Sequence, residues 1–535
     1  MDPGVAGDVL GSGRPTLRRI AVKKEKQRQE QDEDQEQGIR QAEPVTPAGR
    51  VFSQPSFNCY ILVIFRLKTA INVEAMTTGL ENSLIKHKLF SSIMKKNKDG
   101  TLIWVPTKVN ISDHVIVPLV DDADNKIPGF VEKYAADLAS APPLDPCRPL
   151  WQVHLLNVES EDGASSAVMK IHHSLGDGVS LMSLLLACTR KAGDPDSLPT
   201  IPRQSRPTRI ARSNDRKFPW FFGALLSFLV VIWYTLVDVL YFVATLFWIK
   251  DSDTPIKGCP GVESSPKQIV YETFSLEDVK FVKKAINGTI NDVLLGITSA
   301  GIVRYLERKN EEKRSGDSEI EAKQTENHGK GGLPSNLRVR STILVNTRPS
   351  PGLHEMAEMM ETGKKARWGN NLGYMIVNLP MVKHENPLDY VRAAAVLARR
   401  KKQSLEAPFT YASGNLLLRL TNAEVAARMT YNLVSNTTFS FSNMVGPVQE
   451  VEIFCHPIVH ILPTVVGHPQ ALTMHFQSYM GKMTLVVTAA TDVIPDPKQL
   501  CLDCLDAFHS MKQALQSKHR KIKHEHNEHI PKKLY

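Results

Sequence analysis

Residues 172 to 178 read His172-His173-Ser174-Leu175-Gly176-Asp177-Gly178, which sets a tandem histidine, an aspartate and a glycine within one short segment. Imidazole is the side chain best matched to taking and returning a proton near neutral pH, provided that it faces a cavity. The segment follows a buried-strand pattern, Ala167-Val168-Met169-Lys170-Ile171, and precedes an apolar helical run from Val179 to Cys188. A histidine where a strand ends can project into such a cavity, while Asp177-Gly178 supplies a turn and a charge to fix its geometry. The alternative is a histidine pair buried beside a turn with no chemistry to do.

The elements that must position these residues belong to a chain of 535 residues, enough for two or three domains with sizeable cores. Its composition, 42% hydrophobic and 23% charged, is that of a mostly globular protein. The net charge of +9 favours anionic partners, among them nucleic acid, lipid head groups and a polyphosphate-bearing co-substrate. Nucleic acid is disfavoured because aromatic residues are not interleaved with the basic clusters. Seven scattered cysteines make no disulfide framework, so a reducing, cytosol-facing compartment is expected. Cys501 and Cys504 have CxxC spacing but lie in an amphipathic helical stretch, where core packing is the simpler reading; no metal site is expected.

Residues 1–42 are polar and should form a disordered tail without a secretory leader. Strand-like runs such as Cys59 to Phe65 and Trp151 to Leu156 then mix with helical stretches such as Val73 to His87, giving an α/β first lobe over 43–202. A linker, 203–262, carries a basic loop and an apolar block, and a second α/β lobe occupies 263–517. Residues 307–335 read as a solvated insertion loop, and 518–535 as a frayed basic tail containing histidines. The apolar block, 219–249, holds one charge, Asp238, and exceeds the roughly 18 apolar residues that signal membrane contact. Its polar residues Ser227, Tyr234, Asp238, Tyr241 and Thr245 line one helical face, which should turn toward protein or head groups.

From residue 43 to residue 517 the chain resembles the wax ester synthase/diacylglycerol acyltransferase family, in its plant membrane-bound branch, within the wider set of CoA-dependent acyltransferases that share the HHxxxDG motif. The resemblance rests on that motif together with Glu43-Pro44-Val45-Thr46-Pro47, Pro149-Leu150-Trp151, Asn291-Asp292, Asn346-Thr347-Arg348 and the Gly-Pro loop Ser442-Asn443-Met444-Val445-Gly446-Pro447, in that order. The chain lacks the Asp-Phe-Gly-Trp-Gly segment of soluble plant acyltransferases and has no room for the carrier domain that accompanies condensation domains. The resemblance implies an α/β (α+β), two-lobed fold with mixed sheets and an active-site tunnel between the lobes, here with a membrane-associated apolar helix added.

It also implies acyl transfer from acyl-CoA, the co-substrate, to a long-chain alcohol or to diacylglycerol, with no permanently bound cofactor. The alternatives are an enzyme acting mainly on diacylglycerol and a non-catalytic lipid-binding relative. The resemblance implies that His173 is the proton acceptor, and His172 is expected to support the strand end. Asp177 either orients the base or, as the resemblance favours, pairs with Arg348 across the lobes. Gly178 lets the backbone pass close to the substrate. Asn291 is the candidate oxyanion donor, with Ser442 and Asn443 next, although each suits a turn or helix cap equally well.

Basic residues crowd the approach to the apolar block, which puts the first lobe in the cytosol. A single crossing would then part His173 from Arg348 and Asn291, and two crossings would need about 40 apolar residues, more than the block supplies. The expectation is therefore a helix lying in the membrane surface or entering one leaflet, with both lobes cytosolic, at the endoplasmic reticulum and also at the plasma membrane.

Overall fold

The computed structural model describes residues 42–121, 127–160, 162–202, 220–316, 333–334, 336–348, 353–362 and 368–528, with backbone alone at 220–222, 316 and 518–528. The expected N-terminal tail (but for residue 42), the basic loop at 203–217, residues 317–332 and 335 of the expected insertion loop and residues 529–535 of the expected basic tail lie outside the described residues. Two mixed sheets organise the remainder.

The first sheet has seven strands, in the order Val115–Ile116, Trp151–Leu156, Ser165–His172, Tyr60–Leu67, His456–Val466, Val451–Ile453, Thr189–Lys191. Tyr60–Leu67 and Ser165–His172 are buried at every position, as expected of central strands covered on both faces. They pair antiparallel with Tyr60 opposite His172, so the histidines emerge at the end of a central strand, beside the start of its neighbour.

The second sheet has six strands, in the order Leu372–Asn378, Arg340–Asn346, Phe439–Val445, Leu472–Tyr479, Lys482–Ala490, Lys267–Ser275. The chain leaves it after Val445, adds Val451–Ile453 and His456–Val466 to the first sheet, and returns at Leu472. The second lobe therefore does not hold 263–517 as one block, because sheet pairing draws 451–466 into the first. Gly446 makes the departure possible: a Cβ there would lie 2.4 Å from the Ser478 carbonyl oxygen. The Gly-Pro loop is thus the crossover between the lobes.

Two further expectations are corrected. Residues 307–316 are not loop but the end of the helix Ile290–Gly316. Their charges hold that helix in place: Arg308 pairs with Asp503 at 2.9 Å, Lys309 with Asp496 at 3.0 Å and Lys383 with Glu307 at 3.0 Å. Residues 518–528 likewise continue the C-terminal helix Pro497–Glu528. Cys501 and Cys504 sit on that helix, fully buried in the second lobe's core.

The apolar block forms the helix Trp220–Phe247, and Gly223–Phe247, with a mean hydropathy of 2.1, is long and apolar enough to cross a membrane. Its C-terminal half is docked on the second lobe. Asp238 takes Arg400 at 2.8 Å and Lys401 at 3.1 Å, Thr235 accepts from the Leu405 amide at 3.0 Å, and Arg340 donates to the Thr245 hydroxyl at 2.5 Å. Tyr234 and Tyr241 lie against the guanidinium groups of Arg400 and Arg340. The polar stripe therefore faces protein, apart from Ser227, which is exposed and donates to the Gly223 carbonyl of its own helix. Leu226, Leu229, Trp233, Leu236 and Leu240 point outward, and beside them the helix Glu406–Leu420 exposes Phe409, Leu416 and Leu420 at helical spacing.

Candidate active site

The tandem histidines face different surroundings. His172 Nε2 is 2.8 Å from Asn58 Oδ1, and its Nδ1 accepts from the Ser174 amide and lies 2.6 Å from the Ser174 hydroxyl. Every polar atom of the ring is occupied, and burial pushes its pKa down to about 3. This ring is a structural peg.

His173 lines a cavity of about 1720 Å³ between the lobes. Its amide donates to the Cys59 carbonyl at 2.9 Å, its carbonyl accepts from Asn370 Nδ2 at 2.9 Å, and its ring packs against Phe52 with centroids 4.2 Å apart. Its Nδ1 is buried with no side-chain partner. Burial holds its pKa below the ordinary imidazole value, against the opposing pull of its own carbonyl and of the Asp177 charge. At neutral pH the ring is uncharged and able to accept a proton.

Asp177 does not touch that ring. It caps the helix Gly178–Ala187, accepting from the Ser180 amide at 2.8 Å, and its other oxygen accepts from Arg348 Nη2 at 3.0 Å. The same Nη2 donates to the Gly369 carbonyl at 2.7 Å and to the Ser180 hydroxyl. This arrangement ties the HHxxxDG turn to the second lobe five residues beyond the Arg340–Asn346 strand's midpoint, and no carboxylate completes a triad with His173 among the described residues. Gly178 lines the cavity, but a Cβ there would meet Met444 only at an ordinary 3.5 Å; what its absence leaves is cavity space.

The glycine that sterics demand is Gly176, where a Cβ would lie 2.9 Å from the Trp368 ring. Trp368 Nε1 donates to the Leu175 carbonyl at 2.6 Å, and Asn370 Nδ2 donates to the backbone of His173 and Ser174. Trp368-Gly369-Asn370 thus clasps the motif from the opposite lobe. Sequence reading passed over this segment, whose one signal is a tryptophan and paired asparagines in a short stretch without periodicity.

Asn291, Ser442 and Asn443 all line the cavity. Asn443 Nδ2 donates to Asn291 Oδ1 at 2.6 Å, leaving the Asn291 amide hydrogens free to donate. The helix cap at this point is made instead by Thr289 and Asp292, which bond each other's amides at 3.3 and 2.7 Å. The cavity wall also carries His468 and His475, which sequence reading did not single out. No cluster of metal-ligand side chains occurs among the described residues.

Comparison with known proteins gives this geometry a setting. Residues 68–294 match the wax ester synthase/diacylglycerol acyltransferase catalytic domain, and residues 368–512 match the WS/DGAT C-terminal domain. The chain is 39% identical over 501 residues to wax ester synthase/diacylglycerol acyltransferase 6 of Arabidopsis thaliana, covering 90% of this chain and 95% of the relative. The solved structure of a wax ester synthase/diacylglycerol acyltransferase from Marinobacter aquaeolei VT8 superposes with a TM-score of 0.53 at 14% identity, covering 88% of this chain and 98% of that one. The trichothecene 15-O-acetyltransferase TRI3 from Fusarium sporotrichioides superposes with a TM-score of 0.52 at 13% identity, covering 88% and 95%. At such identities the structures speak for the fold, which is the expected two-lobed mixed α/β architecture.

Proposed function

Because this chain belongs to the wax ester synthase/diacylglycerol acyltransferase family, we propose that it transfers a long-chain acyl group from acyl-CoA to a fatty alcohol, forming a wax ester, and to diacylglycerol, forming triacylglycerol, with His173 as the base. The observation that carries this reading is the imidazole of His173, packed against Phe52 and lining a lobe-spanning cavity. As the acceptor oxygen attacks the thioester carbonyl, the imidazole takes its proton. The tetrahedral intermediate collapses by breaking the carbon–sulfur bond, and the departing thiolate receives that proton, so ester and CoA form without an acyl-enzyme. Asn291, Ser442 and Asn443 are the candidate donors to the transient oxyanion, a role worth about 3 kcal/mol where donors are preorganised. Arg190, Lys191 and Lys402 on the cavity wall suit an anionic CoA.

His173→Ala should reduce ester synthesis at least a hundredfold with the fold retained, within the range ascribed to general-base catalysis. Incubation of the purified protein with labelled acyl-CoA and either acceptor, followed by lipid separation, measures this. Activity above a few per cent of wild type, or an acylated residue found by mass spectrometry with acyl-CoA alone, would defeat the mechanism.

Both lobes belong in the cytosol in this reading, with the apolar helix lying in the surface of the endoplasmic reticulum or plasma membrane or entering one leaflet. The Asp177–Arg348 contact across the lobes and the docking of Asp238 on the second lobe support it. Protease protection of a C-terminal tag on intact microsomes, relieved only by detergent, would argue against it.

A further inference from the structure

The strand Leu472–Tyr479 is buried at every residue, yet its side chains alternate in character: Leu472, Met474 and Phe476 enter the second lobe's core, while Thr473, His475 and Gln477 occupy the other face. A polar face on a fully buried strand needs polar company. His475 has none, because both of its ring nitrogens are buried without a hydrogen-bond partner. His468, in the return crossover, has Nε2 3.0 Å from the Thr473 hydroxyl and a buried, unpartnered Nδ1. Both rings line the cavity that holds His173.

Burial pushes His475 to about 4 and His468 to about 3, so both are neutral at physiological pH. A neutral imidazole offers one N–H donor and one acceptor, and leaving these unmade in the interior is costly unless something that enters the cavity makes them. Acyl-CoA enters with either acceptor, so what separates the acceptors is the oxygen that they themselves bring. A fatty alcohol brings none besides the reacting hydroxyl, which goes to His173. Diacylglycerol brings two ester groups, whose carbonyls accept hydrogen bonds. The cavity, at about 1720 Å³, also exceeds the roughly 300–1000 Å³ of ordinary ligand sites and suits a lipid with several chains.

Building on the acyltransferase reading, we infer that His468 and His475 form a polar subsite for the ester carbonyls of a diacylglycerol acceptor, so that this wall of the cavity makes contacts with diacylglycerol that a fatty alcohol does not share. The substrate comparison that isolates the contact is diacylglycerol against 1,2-di-O-alkylglycerol, which keeps the free hydroxyl and both chains but lacks the carbonyls.

The experiment measures kcat/KM for hexadecanol, diacylglycerol and the dialkyl ether with one acyl-CoA, on wild type, His475→Leu and His475→Gln, with thermal unfolding as the check on folding. Wild type should prefer ester to ether. His475→Leu should lose about tenfold on diacylglycerol, in keeping with one hydrogen bond and its unsatisfied partner, while staying within about twofold on hexadecanol and the ether. His475→Gln, which restores a donor, should regain part of the loss. Equal losses on all acceptors, an absent ester preference in wild type, or undiminished use of diacylglycerol by His475→Leu would each overturn the subsite. Wild type that uses hexadecanol but not diacylglycerol overturns it while leaving the acyltransferase reading intact. Wild type that uses no acceptor overturns that reading, and the subsite with it.

Discussion

Asp177 and Asp238 are both almost wholly buried and both paired with cations from the second lobe, but they bind in different ways. Asp177 uses both oxygens directionally, one on the Ser180 amide and one on Arg348, so the position of its turn is specified in several directions at once. Asp238 gathers Arg400 and Lys401 on a single oxygen and leaves the other without a partner. The first geometry suits a place where a displacement of about 1 Å costs catalysis. The second holds an apolar helix to its lobe chiefly by charge, with an outer face free to meet a soft, variable surface. The same residue type thus serves as a positioning joint in one region and as an anchor in the other.

Removing the cation from the joint should have the largest effect. Arg348→Ala leaves the Asp177 charge buried with only the helix cap, which should destabilise the protein by about 3–5 kcal/mol and lower kcat/KM by about a hundredfold in the folded fraction. Denaturant unfolding and acceptor assays measure the two. Retained activity would mean that the joint does not position His173.

Asp238→Leu should cost less, about 1–3 kcal/mol, because Lys401 keeps Glu406 at 2.7 Å and Arg400 reaches solvent. Activity in detergent should stay within a few-fold of wild type. A collapse like that of Arg348→Ala would erase the distinction between joint and anchor.

The pH profile sharpens the contrast. His173 must be neutral to act as base, and burial holds its pKa below 6.5, so kcat/KM should fall with acid along a limb centred below pH 6.5. In Arg348→Ala the uncompensated Asp177 charge favours the imidazolium, moving that limb upward, whereas Asp238→Leu should leave it in place. The smallest effect is expected on the outer face. Phe409→Gln with Leu416→Gln should weaken vesicle binding several-fold, since burying such side chains is worth about 1.5–3 kcal/mol each when complete, while activity on a short, water-soluble alcohol is unchanged.

Legibility in the sequence followed the range of the interactions. The strand, turn and helix around His172–Gly178 are local, and so is the face shared by Tyr234, Asp238, Tyr241 and Thr245, because three- and four-residue spacing makes helical neighbours whatever lies opposite. Residues 307–316 and 518–528 look like loop and frayed tail in the sequence because their charged composition conceals helices; at the first of these, Arg308 and Lys309 are held by Asp503 and Asp496, nearly two hundred positions away.

By itself, then, the sequence determined the local framework: which histidine-bearing strand ends in which turn, and which face of the apolar helix is polar. Only the tertiary structure decided what those faces meet. His172 and His173 are identical side chains in adjacent positions, and they diverge because strand geometry turns one toward Asn58 and Ser174 and the other into the space between the lobes. The clasp by Trp368 and Asn370 and the unpartnered rings of His468 and His475 likewise arise from contacts between distant segments, which no local spacing encodes.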